Sequence, residues 1–109
     1  METLKNWDTE YSEYRYLWNL TAERKRMTEV PLHLDIELTN HCNLRCSMCW
    51  QAKYLSYPKG YMDYNLFKKI IDDGSTNGVK AIKLQSRGES MLHPKIIDSI
   101  AYAKKNMAL

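Results

Sequence analysis

The stretch LDIELTNHCNLRCSMC, residues 34–49, decides the fold of this chain. Its first half alternates apolar and polar residues, which is typical of a β-strand. Its second half is a short polar loop that holds the only three cysteines of the sequence, with Cys42, Cys46 and Cys49 in a C-x3-C-x2-C spacing. A loop this short allows three thiolates to converge on one soft metal centre while the strand before it holds its base.

Two occupants suit such a loop, because zinc and iron–sulfur clusters both prefer thiolate ligands. A structural zinc site usually closes with four protein ligands, and the fourth would have to be His41, His93 or a residue outside the chain. An iron–sulfur cluster is normally held by four cysteines, so three of them imply one iron open to another ligand. Disulfides fit poorly, because an odd number of cysteines leaves one thiol over.

A second motif, QSRGESMLHP at residues 85–94, follows another apolar run. Together the two segments resemble the radical S-adenosylmethionine (radical SAM) enzymes, whose hallmark is the same cysteine spacing. The second segment is similar to the Gly-Gly-Glu stretch that ends the second strand in that family, with Arg87 here in place of the first glycine. The resemblance spans residues 32 to about 105.

The resemblance implies that Cys42, Cys46 and Cys49 bind a 4Fe-4S cluster and that the open iron takes the amino and carboxylate groups of S-adenosylmethionine. Reductive cleavage of this cofactor would then start the radical modification of a substrate, either a peptide or a small molecule. Backbone carbonyls near Gly88 and the carboxylate of Glu89 would accept hydrogen bonds from the methionine ammonium group. The resemblance further places Met48 against the adenine, and an electron donor such as flavodoxin or ferredoxin would be the protein partner.

The predicted fold class is α/β, the N-terminal portion of a partial (β/α)6 TIM-like barrel preceded by a helix. Residues 1–30 form the helical extension, and residues 31–109 form about two βα units of the core. A complete α/β barrel needs about 250 residues, so we expect the chain of 109 residues to be part of a larger enzyme. Two other readings stay open, a noncatalytic zinc-stabilised binding module and an inert truncated fragment.

The first strand has one apolar and one polar face. Its polar face either looks into a barrel lumen or belongs to an edge strand that is wet on one side, and the sequence does not choose between the two. The apolar set is Leu32, Leu34, Ile36 and Leu38, and the polar set is His33, Asp35, Glu37 and Thr39.

Two helices flank the second strand, whose apolar residues lie within 79–84. The first is capped by Asp63 or Asn65 and runs to about Asp73, with Gly74 beyond its end. The second opens at His93-Pro94 and runs through Asn106. We expect Leu66, Phe67, Ile70 and Ile71 of the first helix, and Ile96, Ile97 and Ile100 of the second, to face the core.

An aromatic stripe marks the N-terminal helix, since Trp7, Tyr11, Tyr14 and Trp18 recur at helical spacing. Such a stripe must bury against something, and packing on the barrel exterior or across its bottom is favoured over a binding surface. Four charged residues at 23–26 then form a solvated end to the helix.

Composition bounds the remaining classes of function. The formal net charge of +3 is too mild to indicate nucleic-acid binding or an acidic membrane surface. No run of about 20 apolar residues is present, so no membrane span is predicted. Reduced cysteines and the lack of a signal-like segment favour the cytoplasm.

Overall fold

The computed structural model describes residues 2–53 and 57–107 of the chain. Helices and short strands alternate along it, as the sequence predicts. In chain order they are α1 (Glu2–Ala22), β1 (His33–Asp35), α2 (Trp50–Lys53), α3 (Tyr64–Asn77), β2 (Ala81–Lys83), a 3-10 turn (Ser90–Leu92) and α4 (Ile96–Asn106).

The two strands form a parallel pair, in which Leu34 lies opposite Ile82. A parallel pair requires a crossover connection, and α3 supplies it. The α/β class and the parallel pairing are therefore confirmed. Both strands are shorter than the alternating patterns indicate, since regular pairing stops soon after the Ile36 amide donates to the Lys83 carbonyl at 2.8 Å. The carbonyl of the next residue, Leu84, accepts a hydrogen bond from the Ser90 hydroxyl instead of from a strand.

The hydrophobic core lies between the sheet and the two longer helices that follow it. Transfer of each large apolar side chain from water into this core contributes about 1.5–3 kcal/mol. Its buried members come from the β1 extension, α3, the start of β2 and α4. They are Ile36, Leu38, Phe67, Ile71, Val79, Ile96, Ala103 and Met107.

Helix α3 begins at the predicted cap but ends later than predicted. The Asp63 carboxylate accepts the Leu66 amide at 3.1 Å, so Asp63 rather than Asn65 is the N-cap. Gly74 lies inside the helix, where its missing side chain makes room for Val79 and Leu34. Gly78 ends the helix instead, because it takes the left-handed conformation with φ of 84°.

Helix α4 starts later than predicted and shows a different face to the core. It begins at Ile96 rather than at Pro94, because His93 closes the preceding 3-10 turn and its Nδ1 accepts the Lys95 amide at 3.0 Å. Ile97 and Ile100 are 79% and 48% exposed, so their predicted inward orientation is wrong. With the later start, the buried positions are Ile96, Ser99 and Ala103.

Exposure also corrects the predicted face of α3. Phe67 and Ile71 are buried and Ile70 packs against the core, as predicted. Leu66 is exposed, because it lies at the first turn on the side away from α4 and the sheet.

The aromatic stripe of α1 reaches the amino end of β1. Tyr14 and Trp18 lie 6.1 Å apart between ring centroids, and the edge of Trp18 meets the His33 ring at 5.4 Å. This contact favours the bottom of the sheet over its exterior as the place where α1 packs. The side chain of Trp7 lies outside the described part of the chain.

The described helices were also compared with the length and hydropathy of membrane spans. Within residues 2–53 and 57–107, no helix combines enough length with enough apolar character to cross a bilayer.

Candidate metal centre

The two sequence motifs meet at one edge of the sheet. Because β1 and β2 are parallel, the loops that follow them leave from the same edge. The Glu89 amide donates to the His41 carbonyl at 2.7 Å, directly before the first cysteine. The Gly88 amide donates to Oε1 of Gln51, two residues after the last cysteine, at 3.2 Å. The structure therefore brings together the segments that carry the predicted metal and cofactor residues.

Gly88 is the tightest point of this meeting. Its φ of 76° lies in the left-handed region that favours glycine. A Cβ atom there would lie 2.5 Å from the Thr39 carbonyl oxygen and 2.7 Å from both Asn40 Cα and the His41 carbonyl oxygen. All three atoms are backbone, so none can move aside cheaply. The close approach that Gly88 permits is thus to the backbone that leads into the cysteine loop.

Glu89 has a role within the fold. Its Oε1 accepts the Met91 amide at 3.1 Å and so caps the 3-10 turn. This bond fixes the start of the Glu89 side chain beside the cysteine loop, since the Glu89 amide is already tied to His41.

The three cysteines are free thiols at the surface end of the site. Cys46 is exposed, and Cys42 and Cys49 are half-buried. The Cys49 amide donates to the Cys46 carbonyl at 3.0 Å, which makes a turn. The Leu44 amide lies 3.4 Å from Cys42 Sγ, the kind of hydrogen bond that tunes cluster-bound sulfur.

In the described part of the chain, no three His, Cys, Asp or Glu side chains are placed so that they share one metal ion. The donor set nevertheless fits a thiolate-ligated cluster by its chemistry, with three free thiols on one short loop. Residues 43–48 are all exposed, so turning the thiols towards a common centre would disrupt few contacts.

Two further residues of the loop have clear surroundings. The Arg45 guanidinium donates to the carbonyls of Cys42 and Leu44, at 3.2 and 2.8 Å, and so braces the loop backbone. Met48 is 88% exposed, with its thioether in solvent at the mouth of the site.

Arg87 pairs with Glu37 across the two strand ends. Its Nη2 lies 3.3 Å from Glu37 Oε2, a contact between residues fifty positions apart. Partial exposure limits such a pair to about 0–1 kcal/mol. The other carboxylate oxygen of Glu37 is buried and has no partner among the described residues. The polar face of the first strand is therefore turned towards the candidate site.

The two histidines proposed as a fourth zinc ligand differ in their surroundings. His93 is buried, and both of its ring nitrogens are used. Nδ1 accepts the Lys95 amide, and Nε2 donates to the Met62 carbonyl at 2.8 Å. It therefore has no lone pair for a metal without losing a bond of the fold. His41 stacks on Tyr61 with 4.5 Å between ring centroids.

Sequence reasoning missed Gln51, which is only 5% exposed. Its Nε2 donates to the Asn40 carbonyl at 3.1 Å and to the Tyr57 hydroxyl at 3.0 Å. The only signal in the sequence was a polar residue directly beyond the cysteine loop, and such residues are usually exposed.

Comparison with known proteins gives three relatives. The chain is 39% identical over 74 residues to the tungsten-containing aldehyde ferredoxin oxidoreductase cofactor-modifying protein of Pyrococcus furiosus, which covers 67% of the chain and 20% of the relative. It is 35% identical over 88 residues to the antilisterial bacteriocin subtilosin biosynthesis protein AlbA of Bacillus subtilis, covering 79% and 19%. It is 34% identical over 76 residues to the AdoMet-dependent heme synthase of Methanosarcina barkeri, covering 70% and 22%.

The chain thus spans about a fifth of the length of these relatives. No protein-family model matches it, and no solved structure matches it. The three relatives are radical SAM proteins. The chain therefore belongs, over the matched segment, to the radical SAM family, as the two motifs indicate.

Proposed function

We propose that this chain is the cluster-bearing portion of a radical SAM enzyme. Cys42, Cys46 and Cys49 would hold a 4Fe-4S cluster, and the open iron would receive S-adenosylmethionine. The chemistry supplied by a bound cluster is reductive cleavage of S-adenosylmethionine, which starts the radical modification of a substrate.

One observation carries the proposal. The free-thiol loop and the Arg87-Gly88-Glu89 loop meet at the carboxyl edge of a parallel strand pair, joined by the bond from the Glu89 amide to the His41 carbonyl. Ligand sites of parallel α/β sheets lie at this edge. The two motifs are about forty residues apart in sequence, so an accidental juxtaposition has little to recommend it.

The chain's own residues would divide the work of binding. Gly88 holds the second loop against the first, which places the Glu89 carboxylate within the site, where it would accept from an ammonium group. Arg45 braces the loop backbone, and Met48 offers an exposed apolar surface on which an adenine ring would rest. Glu37, with its buried unpartnered oxygen, adds a second acceptor beside Arg87.

The relatives support a shared initiating chemistry with differing substrates. Their names refer to cofactor modification, bacteriocin biosynthesis and heme synthesis, which are three different products. Of these, bacteriocin biosynthesis suits a peptide substrate. We propose a peptide as the first substrate class to examine, with a small ferredoxin or flavodoxin as electron donor.

Anaerobic reconstitution with iron and sulfide tests the proposal. We expect the wild-type chain to take up about four iron and four sulfide per chain and to absorb broadly near about 400 nm. Cys46→Ala should lose most of this cluster, because it removes one of the three ligands. Ser47→Ala, at an exposed neighbour in the same loop, is the matched control and should keep the cluster.

Two results would contradict the proposal. One is a colourless chain that binds one zinc tightly and no sulfide. The other is equal iron and sulfide uptake by the wild type and Cys46→Ala, which would show that the metal binds elsewhere or without order.

A further inference from the structure

Gln51 is the one buried polar side chain that touches both halves of the candidate site. Its Oε1 accepts the Gly88 amide at 3.2 Å and lies 3.8 Å from Cys49 Sγ. Its Nε2 donates to the Asn40 carbonyl, just before the cysteine loop. A single amide therefore joins the entrance of the loop, its last cysteine and the second motif.

The orientation of this amide follows from its backbone partners. The Gly88 amide can only donate, and the Asn40 carbonyl can only accept. Turning the Gln51 amide over would set two donors against each other at Gly88 and two acceptors against each other at Asn40. The oxygen is thus held on the side of Cys49, and the nitrogen on the side of Asn40.

Neighbouring bonds make this arrangement stiff. Tyr57 donates from its hydroxyl to the same Asn40 carbonyl at 3.0 Å, and it also receives a hydrogen bond from Gln51. Asn40 in turn holds the following segment, since its side chain bonds the Pro58 carbonyl and the Gly60 amide. An amide fixed at both ends keeps its dipole in place when charge near it changes.

We propose that Gln51 is a positioning residue that holds an amide oxygen against the Cys49 sulfur and thereby lowers the reduction potential of a cluster bound there. The inference rests on the proposed function. Reduction adds negative charge to the cluster and its sulfur ligands, and the negative end of the Gln51 dipole opposes that addition. Bonds and dipoles around cluster sulfurs are known levers on the potential.

The test is a redox titration of the reconstituted chain and its variants. Gln51→Met keeps the size of the side chain and removes the dipole, so the potential should rise above that of the wild type. Gln51→Asn keeps the amide but draws the oxygen back, so its potential should lie between the two. Gln85→Met is the matched control, because Gln85 is the only other glutamine and is exposed. It should leave the potential at the wild-type value.

Each outcome decides the matter. A wild-type chain without a cluster overturns the proposed function and this inference together. A cluster whose potential in Gln51→Met equals that of the wild type overturns only the role of Gln51. Loss of the cluster in both Gln51→Met and Gln51→Asn also overturns it, since Gln51 would then serve the fold rather than the potential.

Discussion

Gly88 shows how one residue joins the two motifs of the family. Its place in an Arg-Gly-Glu stretch made a close backbone approach predictable from the sequence. The partner in that approach was not predictable, because residues 39–41 reach Gly88 only through the pairing of β1 with β2. Gln51 escaped notice for the same reason, since its burial depends on contacts from three separate segments.

Replacing Gly88 with alanine should destabilise the chain markedly. The left-handed backbone costs alanine about 1–2 kcal/mol, and the clash with three backbone atoms adds about 1–3 kcal/mol. Urea unfolding should therefore show a loss of about 2–5 kcal/mol in the free energy of unfolding. Gly60→Ala is the control, because a Cβ at Gly60 meets nothing within 4 Å. Equal stability of the two variants would contradict the account.

At the scale of elements, the pattern of the sequence located each helix but not its phase. Helix α4 has isoleucines at 96, 97 and 100, and apolar character alone does not say which of them face inward. The buried set became clear only with the later helix start, which His93 imposes by bonding the Lys95 amide. In α3, Gly74 was a plausible end signal, but Gly78 meets the left-handed requirement and Gly74 serves packing instead.

The neighbours Ile96 and Ile97 provide a matched test of this helix phase. Ile96 is buried in the core, so Ile96→Ala should lower the free energy of unfolding by about 2–4 kcal/mol. Ile97 is largely exposed, so Ile97→Ala should change it by less than about 0.5 kcal/mol. Chemical denaturation of the two variants checks both values. A larger loss in Ile97→Ala would support the inward orientation that the sequence suggested.

At the scale of the whole molecule, the parallel order of the two strands followed from the strand–helix–strand pattern. The lengths of the strands did not follow, because β2 has no further strand among the described residues and its chain turns away after Lys83. The packing of α3 on α4 closes the core, and a hydrogen bond at its rim joins them. The Tyr102 hydroxyl donates to Asp72 Oδ1 at 2.7 Å.

This rim bond makes stability depend on alkaline pH. The hydrogen bond to Asp72 raises the pKa of Tyr102 above its ordinary value of 10.0, and desolvation adds to the effect. The folded state then holds the proton more tightly than the unfolded state. The contribution is complete below about pH 10 and is lost as the pH rises through the folded pKa.

The melting temperature of the wild type should therefore fall more steeply above about pH 10 than that of Tyr102→Phe, which has no proton to lose there. Tyr16→Phe, at an exposed tyrosine of α1, is the control and should keep the wild-type slope. Equal slopes for the wild type and Tyr102→Phe would show that the rim bond does not form in solution.

The central claim is that three cysteines leave one iron of a cluster open to S-adenosylmethionine. Mössbauer spectroscopy of the chain reconstituted with iron-57 tests it most directly, with and without S-adenosylmethionine. We predict that about one quarter of the iron changes its isomer shift when S-adenosylmethionine is added, and that the rest does not. A spectrum in which no iron site responds, or in which all of them respond alike, would contradict the account.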